Sequence, residues 1–152
     1  MAEPLPAKLA DLLATLDLVP DREDRIQLLI DTAERFGEVP ESVAVRPYPE
    51  SHRVPGCESE AFVWAEPLPD GTFRYRFAVE NPQGISAKAL AVILAETLSG
   101  ALPEMVARVP TDLIYRIFGR ELSMGKSMGL AGMIQKVQSE TRRRAGVAVA
   151  VG

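Results

Sequence analysis

Between Pro6 and Leu16 the apolar residues Leu9, Leu12, Leu13 and Leu16 recur at steps of three and four. That spacing predicts an amphipathic helix, which Pro20 ends. A second helix is predicted from Asp21, with acids in its first turn and Ile26, Leu29, Ile30 and Ala33 on one face, closing at Phe36-Gly37. The periodicity then lapses. Val39 to Pro55 contains Pro40, Pro47, Pro49 and Pro55 and reads as an extended surface segment. Ala61 to Ala65, with Phe62, Val63 and Trp64, reads as a strand, and Pro69-Asp70-Gly71 as a turn. From Thr72 to Val79 the pattern has period two, with Phe73, Tyr75, Phe77 and Val79 on one face and Thr72, Arg74, Arg76 and Ala78 on the other. This predicts a half-buried antiparallel strand.

After the turn Asn81-Pro82-Gln83-Gly84 the pattern becomes helical again. Ser86 to Leu98 is apolar on nearly every face through Leu90, Ala91, Val92, Ile93 and Leu94, which predicts a central buried helix ended by Ser99-Gly100. Leu102 to Val109 predicts a short helix with Pro103 near its start, and Pro110-Thr111-Asp112 opens another over Leu113 to Phe118. Lys126 to Arg144 predicts the last long helix, with Leu130, Met133, Ile134 and Val137 as its buried stripe, and Ala145 to Gly152 is expected to fray. The order predicts an α+β fold with helices packed on one face of a small antiparallel sheet. A single domain over residues 1–152 is expected, its core running from about 6 to 144, without repeats or an internal linker.

Composition narrows the function. With 47% hydrophobic and 25% charged residues, a chain of 152 residues can bury a core of its own. The formal net charge of −4 argues against nucleic acid as the main partner, since phosphate binding calls for a basic face. The one dense basic run, Arg142-Arg143-Arg144, suits a helix C-terminus. Met1 to Leu16 lacks the basic start of a secretory signal, and no apolar run is long enough to span a bilayer. The expectation is a cytoplasmic protein without a membrane partner. One cysteine and one histidine exclude an internal disulfide and an ordinary four-ligand zinc site, so no such metal centre is expected.

That lone cysteine, Cys57, lies in Ser51-His52-Arg53-Val54-Pro55-Gly56-Cys57-Glu58-Ser59-Glu60, at the mouth of the predicted hairpin. Pro55-Gly56 marks a turn, and the polar flanks place the thiol near solvent, not in an apolar run. Cysteine reacts as the thiolate, and His52 could serve as its base, which leaves open a thiol enzyme such as a peroxidase or cysteine hydrolase. No carboxylate pair has a spacing that suggests acid–base catalysis. The segment from Gly119 to Ser127 imitates a phosphate-binding loop, but five residues stand where that loop has four. It reads instead as a loop and helix start with Ser123 or Ser127 available as cap. Phe62, Trp64, Phe73, Tyr75 and Phe77 could stack nucleobases, but the acidic balance favours a place in the core.

The run Val54-Pro55-Gly56-Cys57-Glu58-Ser59-Glu60-Ala61-Phe62 resembles the signature of the SufE family of sulfur acceptors, Gly-Cys-x-Ser-x-Val-Trp, matching at Gly56, Cys57 and Ser59. Ala61 and Phe62 stand in place of Val and Trp, and Trp64 shares the strand parity of Phe62. Lys88-Ala89-Leu90-Ala91 resembles the family's Lys-Gly-Leu-x, and the run from Gly125 to Ile134 resembles its Ser-Arg-Ser-x-Gly-Leu-x-x-Met-Ile. The likeness spans roughly Asp21 to Glu140. Lys126 replaces the usual Arg, which forfeits bidentate geometry, and Asn81 and Gln83 stand where acids are common. The resemblance implies a SufE/NifU-like fold and a sulfur acceptor that takes persulfide sulfur onto Cys57 from a SufS-type cysteine desulfurase, a pyridoxal-phosphate enzyme. It implies stimulation of that enzyme and delivery to a SufBCD-type iron–sulfur scaffold, with no cofactor held by this chain. Gly56, Glu58, Ser59, His52 and Lys126 are the loop and partner-contact candidates around Cys57.

Overall fold

The computed structural model describes residues 5–145. The elements follow in the order α1 (Ala7–Asp17), α2 (Arg22–Glu34), a 3-10 turn (Glu50–His52), β1 (Ala61–Pro67), β2 (Phe73–Val79), α3 (Ile85–Leu98), α4 (Pro103–Val106), α5 (Leu113–Phe118) and α6 (Met124–Ala145). This is the expected α+β class: six helices and one two-stranded antiparallel sheet. Ala145, where fraying is expected to begin, instead closes α6; the rest of that stretch, 146–152, lies outside the described residues.

Capping residues set the helix starts. Asp21 accepts from the Asp24 N–H at 3.0 Å and begins α2. Ser123, one of the two serines expected to cap, accepts from the Lys126 N–H at 3.2 Å and begins α6 two residues earlier than predicted. The hairpin runs in the register Ala61↔Val79 to Pro67↔Phe73. Its turn closes through Gly71 at φ +86° and through Asp70, whose carboxylate accepts from both the Thr72 N–H and hydroxyl.

Period two places Phe73, Tyr75, Phe77 and Val79, with Ala61, Val63 and Ala65 opposite, in the main core. There α3 packs against β2, α1, α2 and α6. Because it is enclosed on several sides, α3 buries Leu90 to Leu94 without a break. Each such large apolar side chain contributes ~1.5–3 kcal/mol.

Helices cover one face of the sheet, as expected. Three other readings need correction. The first concerns the opposite face, where Phe62, Trp64 and Ala78 form a second small core with Val39 and Tyr48. The proline-rich segment therefore folds back over the sheet, with a cis Arg46–Pro47 peptide, and is more than an extended surface strap. Tyr48 meets Phe62 and Trp64 at 5.3 and 5.2 Å between ring centroids. On α2, Ile26 is 46% exposed and Ile30 half-buried, because α3 covers only the Leu29–Ala33 side. The helix predicted over Leu102 to Val109 stops at Val106. Gln138, buried on α6, takes up its last carbonyls by donating to Val106, Ala107 and Val109.

Tyr75 carries a pH signature. It is 2% exposed and its hydroxyl lies 2.6 Å from Thr141 Oγ1. Burial pushes the phenol up to about 12, against the pull of that hydrogen bond. Above the ordinary phenol value of ~10 the unfolded chain sheds its proton while the folded chain keeps it, so stability is full below ~10 and falls above it. By about pH 12 the expected loss is ~2 kcal/mol. Urea midpoints measured from pH 9 to 12 check this, and Tyr75→Phe should remove that part of the alkaline loss.

Candidate functional site

Cys57 sits on a short excursion between two fixed points. Val54 N–H donates to Ala61 O at 2.8 Å, which closes the excursion at its base. Pro55 and Gly56 take the central positions of a turn in which Cys57 N–H reaches back to Val54 O at 3.4 Å. Gly56 has φ +73°, the value a type II turn requires at its second central residue and one that a side chain would strain. A second turn follows, with Glu60 N–H donating to Cys57 O at 3.1 Å, and Glu60 itself at φ +52°. The far side is tied to the end of β2, where Glu80 and Asn81 donate their N–H groups to Glu60 O and Ser59 O.

The thiol is half-buried, in contact with the main core and free of any disulfide. It opens onto a cavity of about 220 Å³ between the loop and the starts of α3 and α6. Glu58 and Lys126 are the charged residues of its lining, and Asn81, Gln83 and Ser59 supply further polar groups. The first turns of both helices form part of the wall, and the positive ends of the helix dipoles favour anions there.

The floor under the loop is glycine. A Cβ on Gly129 would stand 3.3 Å from Cys57 Cα, and one on Gly132 would stand 3.1 Å from Pro55 O. A Cβ on Gly125 would stand 3.3 Å from Glu58 Oε1. Glycine inside a helix costs ~1 kcal/mol relative to alanine, so three on one face at steps of four and three mark a close approach. That spacing was the available signal for these residues, and the reading of Cys57 from its own loop passed over it.

The structure brings Cys57, Glu58, Ser59 and Lys126 around one cavity, with Gly56 beside them in the turn. His52 belongs elsewhere. Its Nδ1 donates to Val63 O at 2.8 Å and faces Glu140 Oε1 at 3.2 Å, while its ring stacks on Trp64 at 5.1 Å. It lines a different cavity, beneath the proline-rich segment, so the cysteine–histidine pair of a thiol enzyme is not assembled. Arg143 and Arg144 border that second cavity, the former paired with Glu140 and the latter donating to Ala65 O. Among the described residues no group of three His, Cys, Asp or Glu is placed to hold a metal ion, and no helix is long and apolar enough to cross a membrane.

A two-stranded hairpin packed among six helices, with one thiol on the loop that enters it, defines a compact α+β class of thiol protein. Residues 10–141 match the family described as "SufE: Fe-S metabolism associated domain", and the chain belongs to that family. It thus has a role in iron–sulfur metabolism. The solution structure of a hypothetical protein from Thermus thermophilus is similar to it, at 30% identity and a TM-score of 0.72, over 95% of this chain and 100% of that one. No curated protein matches the sequence.

Proposed function

We propose that this protein accepts sulfur on Cys57 from the persulfide of a cysteine desulfurase and carries it toward iron–sulfur cluster assembly. The observation that carries this reading is the placement of the lone cysteine. It is half-buried on a loop held by few bonds and faces a cavity with room beside the thiol. In the step proposed, the Cys57 thiolate attacks the outer sulfur of the desulfurase persulfide. A sulfur–sulfur bond forms to Cys57 as the bond within the partner's persulfide breaks, and the partner's thiolate leaves. One sulfur atom moves with no net oxidation or reduction. Pyridoxal phosphate stays with the desulfurase, and the acceptor raises turnover by clearing the partner's cysteine.

The surroundings support a carrier. The helix starts that line the cavity favour an anionic persulfide. Beside the cavity, Ile85, Met124 and Met128 are 48%, 78% and 60% exposed, an apolar rim suited to a transient partner. Lys126 adds one positive charge on the same side, as a point charge without the fork of an arginine. The thiol-enzyme alternative requires His52 at Cys57, and His52 is bonded to Val63 and Glu140 instead.

The test is direct. The protein is incubated with a cysteine desulfurase and free cysteine, and the intact mass is measured without reductant. One added sulfur on the Cys57 peptide, together with faster desulfurase turnover, is the expected result. Absence of both overturns the proposal.

A further inference from the structure

One stripe of α6 holds the whole cysteine segment in antiparallel order. Gly125 lies against Glu58, Gly129 against Cys57, and Gly132 against Val54 and Pro55. Further along the stripe, Lys136 Nζ donates to Ser51 O at 2.6 Å, and Glu140 Oε1 faces His52 Nδ1 at 3.2 Å. The positions 125, 129, 132, 136 and 140 advance by fours and a three, which keeps them on one helix face. The two halves of the stripe differ in kind. The glycine half offers contact without directional bonds, whereas the Lys136–Glu140 half is polar and bonded.

The polar half is well fixed. Val63 O can only accept, so His52 Nδ1 carries the proton and donates it there, with Glu140 Oε1 3.2 Å from the same nitrogen. Glu140 is 3% exposed and is gripped from the other side by Arg143, through Nη2 at 2.8 Å and Nε at 3.2 Å. Stacking on Trp64, with ring planes 24° apart, fixes the orientation of the imidazole. The backbone agrees: the N–H groups of His52, Arg53 and Val54 donate to Pro49, Glu50 and Ala61.

We infer that His52 is a positioning residue for sulfur transfer, which with Lys136 and Glu140 fixes the root of the cysteine loop and confines its movement to Pro55–Glu58. Lifting that stretch off the glycines breaks no hydrogen bond to α6. Lifting Ser51 would break the bond from Lys136, and lifting His52 would break its contact with Glu140. The thiol therefore swings on a short tether from a fixed base, and each excursion returns it to one place beside the cavity. A loop hinged further back would present Cys57 over a wider range and spend less time aligned with a partner's persulfide.

The inference rests on the carrier reading for its consequence but not for its geometry, and two arms of one experiment separate them. The first arm uses the protein alone and reads amide hydrogen exchange. In the wild type, His52, Arg53 and Val54 are expected to exchange at least about tenfold more slowly than Gly56 and Glu58. His52→Phe keeps a ring for Trp64 but loses the donor, and should erase that difference. His52→Asn loses the ring but keeps a donor in place of Nδ1, and should restore it. Lys136→Met is a further variant, at a half-buried lysine whose loss leaves the core intact. It should speed exchange at His52 through Val54 with thermal melting near that of wild type.

The second arm measures initial sulfur transfer from a cysteine desulfurase to Cys57 at several acceptor concentrations. His52→Phe should lower the maximal rate by about threefold to tenfold, with His52→Asn near wild type. If His52→Phe behaves as wild type in exchange, or if His52→Asn fails where His52→Phe succeeds, the donor role is wrong and the ring acts only by packing. Failure of wild type itself to take up sulfur would overturn the carrier reading and leave the first arm standing.

Discussion

Cys57→Ser is expected to abolish sulfur acceptance while leaving the fold unchanged. The substitution exchanges one atom on a half-buried side chain that forms no disulfide, so a stability change within ~1 kcal/mol follows. The chemistry, in contrast, disappears. A serine hydroxyl is not ionised near neutral pH and cannot displace a thiolate from a persulfide, and the chain holds no second thiol to take over. Intact mass after incubation with a desulfurase and cysteine should show no added sulfur. Desulfurase turnover should fall to the rate without acceptor. A circular dichroism melt matching wild type separates this loss from unfolding. If the serine variant still stimulates the desulfurase fully, docking alone accounts for the effect, and transfer to Cys57 is not its cause.

The elements were legible in the sequence because their signals are local. The leucine spacing of α1, the Asp21 cap of α2, the alternation of β2 and the unbroken apolar run of α3 each lie within one window. The cysteine turn was legible for the same reason, since Pro55-Gly56 specifies it. What escaped was set by distant partners. The fold-back of Val39 and Tyr48 onto Phe62 and Trp64 depends on side chains up to 25 positions apart, and the prolines that enable it also resemble a surface strap. Val109 stays buried although α4 ends before it, because Gln138 caps the chain there. His52 illustrates the point most sharply: five positions from Cys57, it invited a catalytic pairing, but Glu140 and Val63 O hold it at another cavity. Nearness in sequence bounds the distance between two side chains and leaves their direction open.

Substitution at Gly129 is expected to expose Cys57 without harming the helix, in proportion to the size of the new side chain. In Gly129→Ala the methyl group would stand 3.3 Å from Cys57 Cα, 3.6 Å from Gly56 O and 3.7 Å from Cys57 Cβ. Those atoms belong to the stretch that no hydrogen bond ties to α6, so a shift of a few tenths of an ångström costs little. The helix gains ~0.5–1 kcal/mol from the added alanine, and the melting temperature should hold or rise. Alkylation of Cys57 by iodoacetamide should speed up severalfold. Gly129→Leu cannot be met by so small a shift: the loop must leave its floor, and the overpacking costs ~1–3 kcal/mol. Alkylation should then rise by more than about tenfold, which corresponds to ~1.4 kcal/mol in the free energy of opening. A persulfide formed on Cys57 should also be lost faster to dithiothreitol, since the leucine fills the side of the cavity that Gly129 now lines. Unchanged alkylation in both variants would mean that the loop already spends its time away from α6. The glycine floor would then have no part in holding the thiol.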